Sequence, residues 1–572
     1  MLRLYRNQES EVVTHYLLLV TCYLLLITHY SLPIMNTIKT EVLIVGGGPV
    51  GMAIASELRY QGIDCIVLEQ TDGVVTDPKV STVGPRSMEF CRRWGISEAI
   101  RNAGWPKEHT LDVAWVTSVG GKEIFRIKFP SYAQRSLPEY SPETEQVCPQ
   151  DWFAPKFINS LGEYPQGNLK FLSRLESFTQ NETGIVAQIT NLESGSSKSG
   201  NTQTIEAQYI IACDGARSQI RKQSGIGAQT FHQTQVFQSV VFEAPQLPDL
   251  LGPNNAMVFF LVNPIIQEPL RAVDGKGKYR LILKPQEDGK IYDAQEAIAA
   301  AISIDTPYKI ISNMPWRLTH RVADTFRDGR IFFVGDSAHT LSPSGGFGMN
   351  TGIADAVDLG WKLAATIKGW GGSKLLDTYE TERRPIAVRN LEQANANLQR
   401  TQKRSIPPAI ASDSPQGREM RQKMAEGMER SGVKREFDAP GVHFGFRYQS
   451  PIVIEDNINL PSEDPFQWSQ TSYPGCRAPH AWLEPGKSTL DLFGHGFVLL
   501  SFKGKEGLET FVTACEKRSV PLKLHAIDNP EVAQLYEKAY VLVRPDGHVA
   551  WRGDILPDNP LAIIDQVRGE FV

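Results

Sequence analysis

The sequence has no C-x-x-C pair, and its seven cysteines (Cys22, Cys65, Cys91, Cys148, Cys213, Cys476 and Cys515) lie scattered along the chain. That spacing gives a zinc ribbon or a dithiol redox centre nothing to rest on, and no metal site is expected. The cysteines read as buried or incidental thiols. A long basic run is also missing, and 59 lysines and arginines against 64 acidic residues leave a formal net charge of −5. Such a chain has no general attraction for nucleic acid, which removes DNA and RNA as partners. Formal charge is absent altogether between Glu11 and Lys39. Within that stretch, residues 12–34 reach the ~20 residues that a bilayer-spanning helix requires. Two readings stay open: a membrane anchor within 1–39, or an over-extended start with translation beginning at Met35. A cleavable signal peptide would need a small-x-small site, and none follows.

What is present describes a globular protein of two to three domains, since 572 residues carry 41% apolar and 22% charged side chains. The catalytic portion is expected in the cytoplasm. After Lys39 the pattern reads strand (41–45), glycine turn, helix (51–61), strand (64–69), which is a βαβ unit opening a parallel sheet. The turn is Gly46-x-Gly48-x-x-Gly51, and Glu69 ends the next strand. Gly46 permits the tight turn, Gly48 lets backbone approach a pyrophosphate, and Gly51 lets helix and strand pack closely. The helix N-terminus then faces phosphate charge, and Glu69 can accept both ribose hydroxyls. An acidic residue there disfavours a 2′-phosphate, so the site should hold FAD or NAD rather than NADP.

Two further motifs place an acidic residue beside glycine at the end of an apolar strand. One runs from Tyr209 to Arg221 and carries Cys213, Asp214, Gly215, Arg217 and Ser218. The other runs from Arg330 through Gly335, Asp336 and His339, followed by Gly345, Gly346, Gly348 and Asn350. Taken singly, each reads equally well as a strand ending in a turn. Elsewhere the pattern predicts a hairpin over 169–192 and a flexible turn over 193–203. A β-rich insertion is expected at about 228–320. A helical linker charged on all sides is expected over 385–447, and a separate mixed α/β unit over 448–572, where Asp546-Gly547 is a hairpin turn signal.

The three motifs, in this order, resemble the FAD-dependent aromatic hydroxylases of the phenol hydroxylase/dichlorophenol monooxygenase type, which are group A flavoprotein monooxygenases. The likeness runs from Thr40 to Arg384 and includes NTGIADAVDLGWKLAA at 350–365 and YETERRP at 379–385. It implies an α/β protein: a Rossmann-like FAD-binding domain over 40–384 with an inserted β-rich substrate domain, then a thioredoxin-like unit serving packing or dimerisation. The resemblance implies that Gly46, Gly48, Gly51 and Glu69 bind the ADP half of FAD. By the same likeness Asp214 serves FAD and NADPH together, and Asp336 binds the ribityl or pyrophosphate portion. Arg86 and Gln150 match positions that contact FAD, and the loop carrying Gly346 and Asn350 precedes a helix facing the flavin. NADPH would reduce FAD, O2 would add as a flavin C4a-hydroperoxide, and an aromatic, phenolic substrate would be hydroxylated.

The chain also departs from its relatives. Where phenol hydroxylases read H-P-R-A-D-G, it reads Asp77-Pro78-Lys79-Val80-Ser81-Thr82. Lys79 loses the planar fork of arginine, Ser81 replaces an aspartate that often touches substrate, and no catalytic residue is assigned. His339 reads as structural, and Tyr279 and Arg280 as either cavity lining or ordinary packing. An oxidase or reductase of the same fold without oxygen insertion, and a non-catalytic flavin-binding partner, are the alternatives. The intact Asp214, Asp336 and glycine loop speak against the last.

Overall fold

The computed structural model describes residues 37–78, 82–162, 168–192, 199–285, 290–400, 406–456, 458 and 463–571. The apolar segment 12–34, Met35, Lys79 and Ser81 therefore lie outside the described residues. Among those described, no helix is long and apolar enough to cross a membrane.

The first sheet is organised on β1 (Ile38–Val45), whose last four residues are buried, as expected of a strand covered on both faces. The turn at 46–48 leads into α1 (Pro49–Tyr60), which starts with proline at its first position, where a fixed φ and a missing N–H cost nothing. β2 (Cys65–Leu68) follows. On the other side of β1 lie β3 (Ser199–Ala212) and β4 (Ile331–Phe333), so the order is β4-β3-β1-β2, all parallel. The start of β3 at Ser199 falls inside the stretch read from sequence as a flexible turn. The hairpin strands Ser173–Gln180 and Ile185–Leu192 add on beside β3.

A second, eight-stranded sheet carries the long antiparallel pair Ala228–Glu243 and Lys309–Ala323. The insertion expected at 228–320 supplies most of it. Val113–Val116 pairs in parallel with Val258–Leu261, and Glu123–Ile127 forms the edge beyond it, so residues well upstream of the insertion join the same sheet. The linker also differs from expectation. Its helix Pro415–Ser431 is not polar all round, because Met420, Met424 and Met428 pack on a cluster containing Trp115, Ile127 and Ile410. A spacing of four puts the three on one face.

The C-terminal unit is a four-stranded mixed sheet, ordered Leu522–Ala526, Phe497–Ser501, Tyr540–Val543, Val549–Gly553. It is not a separate body. Trp361 and Trp370 share one core with Phe497, Leu499, Trp551 and Ile564. Trp361 belongs to α2 (Phe347–Ile367), and the helix α3 (Thr378–Arg400) follows it.

Buried charges reinforce that junction. Lys362 on α2 donates to Asp358 at 2.8 Å and to Glu382 on α3 at 2.7 Å. Arg544 of the C-terminal unit reaches Glu382 at 2.7 Å, Asp358 at 3.0 Å and Asp546 at 2.5 Å. Burial holds the Asp358 carboxyl well above its ordinary range. Burial also opposes ionisation of Glu382, but Arg544 and Lys362 outweigh it and hold that group well below. Lys362 and Arg544 thus face three carboxyl groups, of which burial draws Asp358 up while the cations hold Glu382 and Asp546 down. Asp546, read from sequence only as part of a turn, is a buried member of this network. Arg544→Met would leave Asp546 buried without its arginine and Glu382 with Lys362 alone, with an expected loss of about 3–5 kcal/mol, read as a lower urea midpoint.

Candidate active site

The strand register brings the three motifs together. Val45 sits level with Leu68 and with Ala212, and Ala212 with Phe333, so the turns after β1, β3 and β4 leave the sheet side by side. The carboxyl ends of parallel strands are where such sheets bind ligands. The turns touch one another. Gly46 has φ +109°, and a Cβ on it would fall 2.2 Å from the Cys213 carbonyl oxygen. A Cβ on Gly51 would lie 1.9 Å from the Gly46 carbonyl. Gly335 and Gly352 both close on Val50, in the first turn of α1. Arg221 donates to the Ser337 carbonyl, and Ser337 Oγ to the Ala212 carbonyl at 2.6 Å, which ties the second motif to the third.

Glu69 stands at the end of β2, where one carboxylate oxygen accepts from the Gly47 N–H at 2.8 Å and the other from Thr71. Asp214 spends one oxygen on the Gln219 and Ile220 N–H groups, at 2.7 and 3.1 Å. Its other oxygen is buried without a protein partner. Asp336 follows Gly335 in the turn after β4 and is exposed. Asn350, in the first turn of α2, accepts from the Gly84 N–H at 2.8 Å and from Ser87 at 2.7 Å, and donates to the Gly346 carbonyl at 2.7 Å. It fastens the glycine loop to α4 (Pro85–Arg93), which carries Arg86. Gln150 opens the helix Gln150–Gly162.

Arg86 has partners that its sequence position did not suggest. Its terminal nitrogens reach Glu89 at 2.6 Å and the Asp546 carbonyl at 2.8 Å. The guanidinium joins α4 to the C-terminal unit through these two bonds. His339 is wholly buried against Asp355 at 2.6 Å, and Arg383 holds the same carboxylate, a packing role. Tyr279 is core, and Arg280 pairs with Asp77.

The residues fit FAD on independent grounds. A Cβ on Gly48 or Gly348 would meet nothing within 4 Å, whereas Gly346, at φ +70°, favours glycine for its backbone alone, so at Gly48 and Gly348 the protein itself does not require glycine. A ligand running close to the backbone does. α1 and α2 both begin at glycine with no side-chain cap and no acid in the first turn, so their N–H groups and positive ends are free for a pyrophosphate and for an anionic ring edge.

Beyond Asn350 opens a cavity of about 460 Å³, a size that takes a multi-ring ligand. Gly84, Gly346 and Asn350 form one wall, and Val113, Met257 and Arg271 of the second sheet form the floor. Glu436, Phe437, His443 and Phe444 of the linker complete it. Arg271 has no hydrogen bond or ion pair among the described residues, and burial pulls its guanidinium below the ordinary value. Glu436 is buried, with one oxygen unpartnered. Burial pushes its carboxyl up to about 7, against the pull of Arg271 and Arg400. His443, driven down by burial to about 4, is neutral. Sequence reading missed Arg271, Glu436 and His443. The alternation in Pro269–Ala272 could have set Arg271 opposite Leu270, but nothing local says which sheet face bounds a cavity.

Comparison with known proteins supplies the family. The FAD binding domain family matches residues 39–394, and the C-terminal domain of aromatic-ring hydroxylases matches residues 471–566. The chain belongs to the FAD-dependent aromatic hydroxylases. It is 30% identical to the tetracenomycin A2 monooxygenase-dioxygenase of Streptomyces glaucescens, over 92% of this chain and 95% of that one. It is 29% identical to the phenol 2-monooxygenase of Pseudomonas sp. strain EST1001, over 93% of each. Among solved structures, RebC soaked with chromopyrrolic acid is 50% identical, with a TM-score of 0.89 over 94% of this chain and 100% of that one. The protein is thus a flavin-dependent aromatic monooxygenase of mixed α/β fold.

Two substitutions separate ligand contact from packing in this hydroxylase. Gly48→Val points into space that protein leaves open, so FAD affinity should fall at least about tenfold with the thermal midpoint of the flavin-free chain unchanged. Gly51→Ala collides with the Gly46 carbonyl and should lower both. Flavin titration and thermal melts read the two effects.

Proposed function

We propose that this hydroxylase acts on a large fused-ring aromatic acid, with NADPH as electron donor, and that Arg271 receives the acid group. The observation that carries the reading is Arg271, a half-buried arginine lining the cavity whose side chain has no hydrogen bond or ion pair among the described residues. A cation drawn partly out of water without an ion-pair partner is costly, and an anionic substrate offsets that cost on binding. RebC, soaked with chromopyrrolic acid, holds bound 7-carboxy-K252c, a carboxylated ligand in a relative's structure, and the size of the cavity suits several rings. NADPH is proposed on the family resemblance.

Gly46, Gly48, Gly51, Glu69, Gln150, Asp214, Asp336, Gly346 and Asn350 would hold FAD, with Glu69 at the adenosine ribose and the α1 N-terminus at the pyrophosphate. Bound FAD supplies the redox chemistry that activates O2. The chain's own residues do the rest. The first N–H groups of α2, which follow Gly346, would stabilise negative charge at the ring edge. Arg271 orients the substrate through its acid group, and Met257, Phe129 and Phe437 keep water from the reacting face. Glu436 carries a proton on its carboxyl below about pH 7, so that it does not offset the charge of Arg271 when an anion binds.

Hydroxylation coupled to NADPH and O2 consumption, followed with labelled O2 across a panel of fused-ring aromatic acids, tests the proposal. Release of every reducing equivalent as hydrogen peroxide, with no labelled product from any acid, would sink it. Arg271→Met should raise the KM for the acid at least about a hundredfold, the cost of leaving a buried anion unpaired, while leaving FAD bound. The sign of the pH effect follows from Glu436. Ionisation above about 7 sets a negative charge beside the bound anion, so affinity falls as pH rises through that value. Glu436→Gln should flatten the profile.

A further inference from the structure

Arg477 lies in the C-terminal unit, 2% exposed, and does not border the cavity. Its guanidinium nevertheless meets the outer side of three cavity walls. It grips both oxygens of Glu89 on α4, with Nε at 3.2 Å. It donates to the Tyr140 carbonyl at 3.0 Å, and it stacks 4.9 Å from the centre of the Phe444 ring. Tyr140 and Phe444 both line the cavity, and their rings pack at 5.6 Å. Glu89 also accepts from Ser141 at 2.7 Å. α4 in turn begins at Gly84, whose N–H is held by Asn350 of the glycine loop.

We infer that Arg477 is a positioning residue for the active site, through which the C-terminal unit sets the mutual placement of α4, the loop at Tyr140 and the linker helix Pro440–Phe444. The inference rests on the cavity being the hydroxylase site. A single planar fork serves three elements that are far apart in the chain. A lysine could keep the charge toward Glu89 but could not also hold the carbonyl and the ring. Burial opposes ionisation of Glu89, but Arg477 and Arg86 outweigh it and keep the carboxylate below its ordinary value. The joint is therefore charged throughout the neutral range.

Hydrogen exchange on the full chain, with and without FAD, tests this directly. Arg477→Lys should speed amide exchange about tenfold in residues 82–93 and 138–147 and shift the long-wavelength absorption band of bound FAD. Ser141→Ala, a mild change that removes one bond to Glu89, should move the same two segments by less. Arg552→Lys is the control. Arg552 is equally buried but pairs with Asp456 and Glu537 inside its own unit, so its exchange changes should stay within 450–570. If Arg477→Lys gives the Arg552→Lys pattern, or an even rise along the chain with the flavin band unmoved, Arg477 is merely structural and the inference is wrong. Exchange is read without substrate. A chain that hydroxylates no aromatic acid but shows the local pattern overturns the substrate proposal alone.

Discussion

The protein depends on the common register of β1, β3 and β4. Because Val45, Ala212 and Phe333 end level, turns separated by more than a hundred residues emerge at one edge of one sheet. Each turn is then locked to the next through backbone: the Cys213 carbonyl against Gly46, and Ser337 against the Ala212 carbonyl. A slip of one residue in any of these strands would reverse the faces of its side chains and separate the turns. Parallel pairing of buried apolar runs therefore does more for the site than any single polar contact.

On that platform the chain places two uncapped helix starts and a cavity made of three non-adjacent segments. The cofactor side is built mainly from backbone, with glycines where a side chain would intrude. The substrate side is built from side chains contributed by the second sheet and the linker. Charge is handled differently in the two places. Near FAD, the N–H groups and helix ends can meet phosphate without a buried lysine or arginine. In the cavity, a half-buried arginine faces a carboxyl that burial pushes up to about 7, a pair suited to an anionic ligand. The C-terminal unit is part of this machine, since it shares a core with α2 and sends Arg544 and Arg477 across the junction.

Much of the cofactor side was legible in the chain because it rests on short-range rules. Gly46, Gly48 and Gly51 are separated by one turn, and Glu69 by one βα crossover; strand patterns at 209–213 and 330–334 mark where the other two motifs begin. The helix expected to follow the glycine loop at Gly346 is the observed Phe347–Ile367. Less legible were features whose meaning depends on what packs behind them. Pro415–Ser431 looked polar on every side because three methionines weigh little in a charged stretch. Asp546 looked like turn chemistry, and it is that as well as a buried ion pair. Arg86 looked like a cofactor contact, and nothing local announced that two of its donors also reach Glu89 and Asp546.

The sequence by itself determined the family, the glycine turn after β1, the acid that ends β2 and the order of the three motifs, because glycine geometry and strand-end chemistry are local. Only the tertiary structure decided that residues 113–127 join the second sheet, that Arg271 and Glu436 face a common cavity, and that the C-terminal unit braces its wall through Arg477. Those facts come from pairings across hundreds of residues, where burial and neighbouring charge, rather than residue type, set what a side chain does.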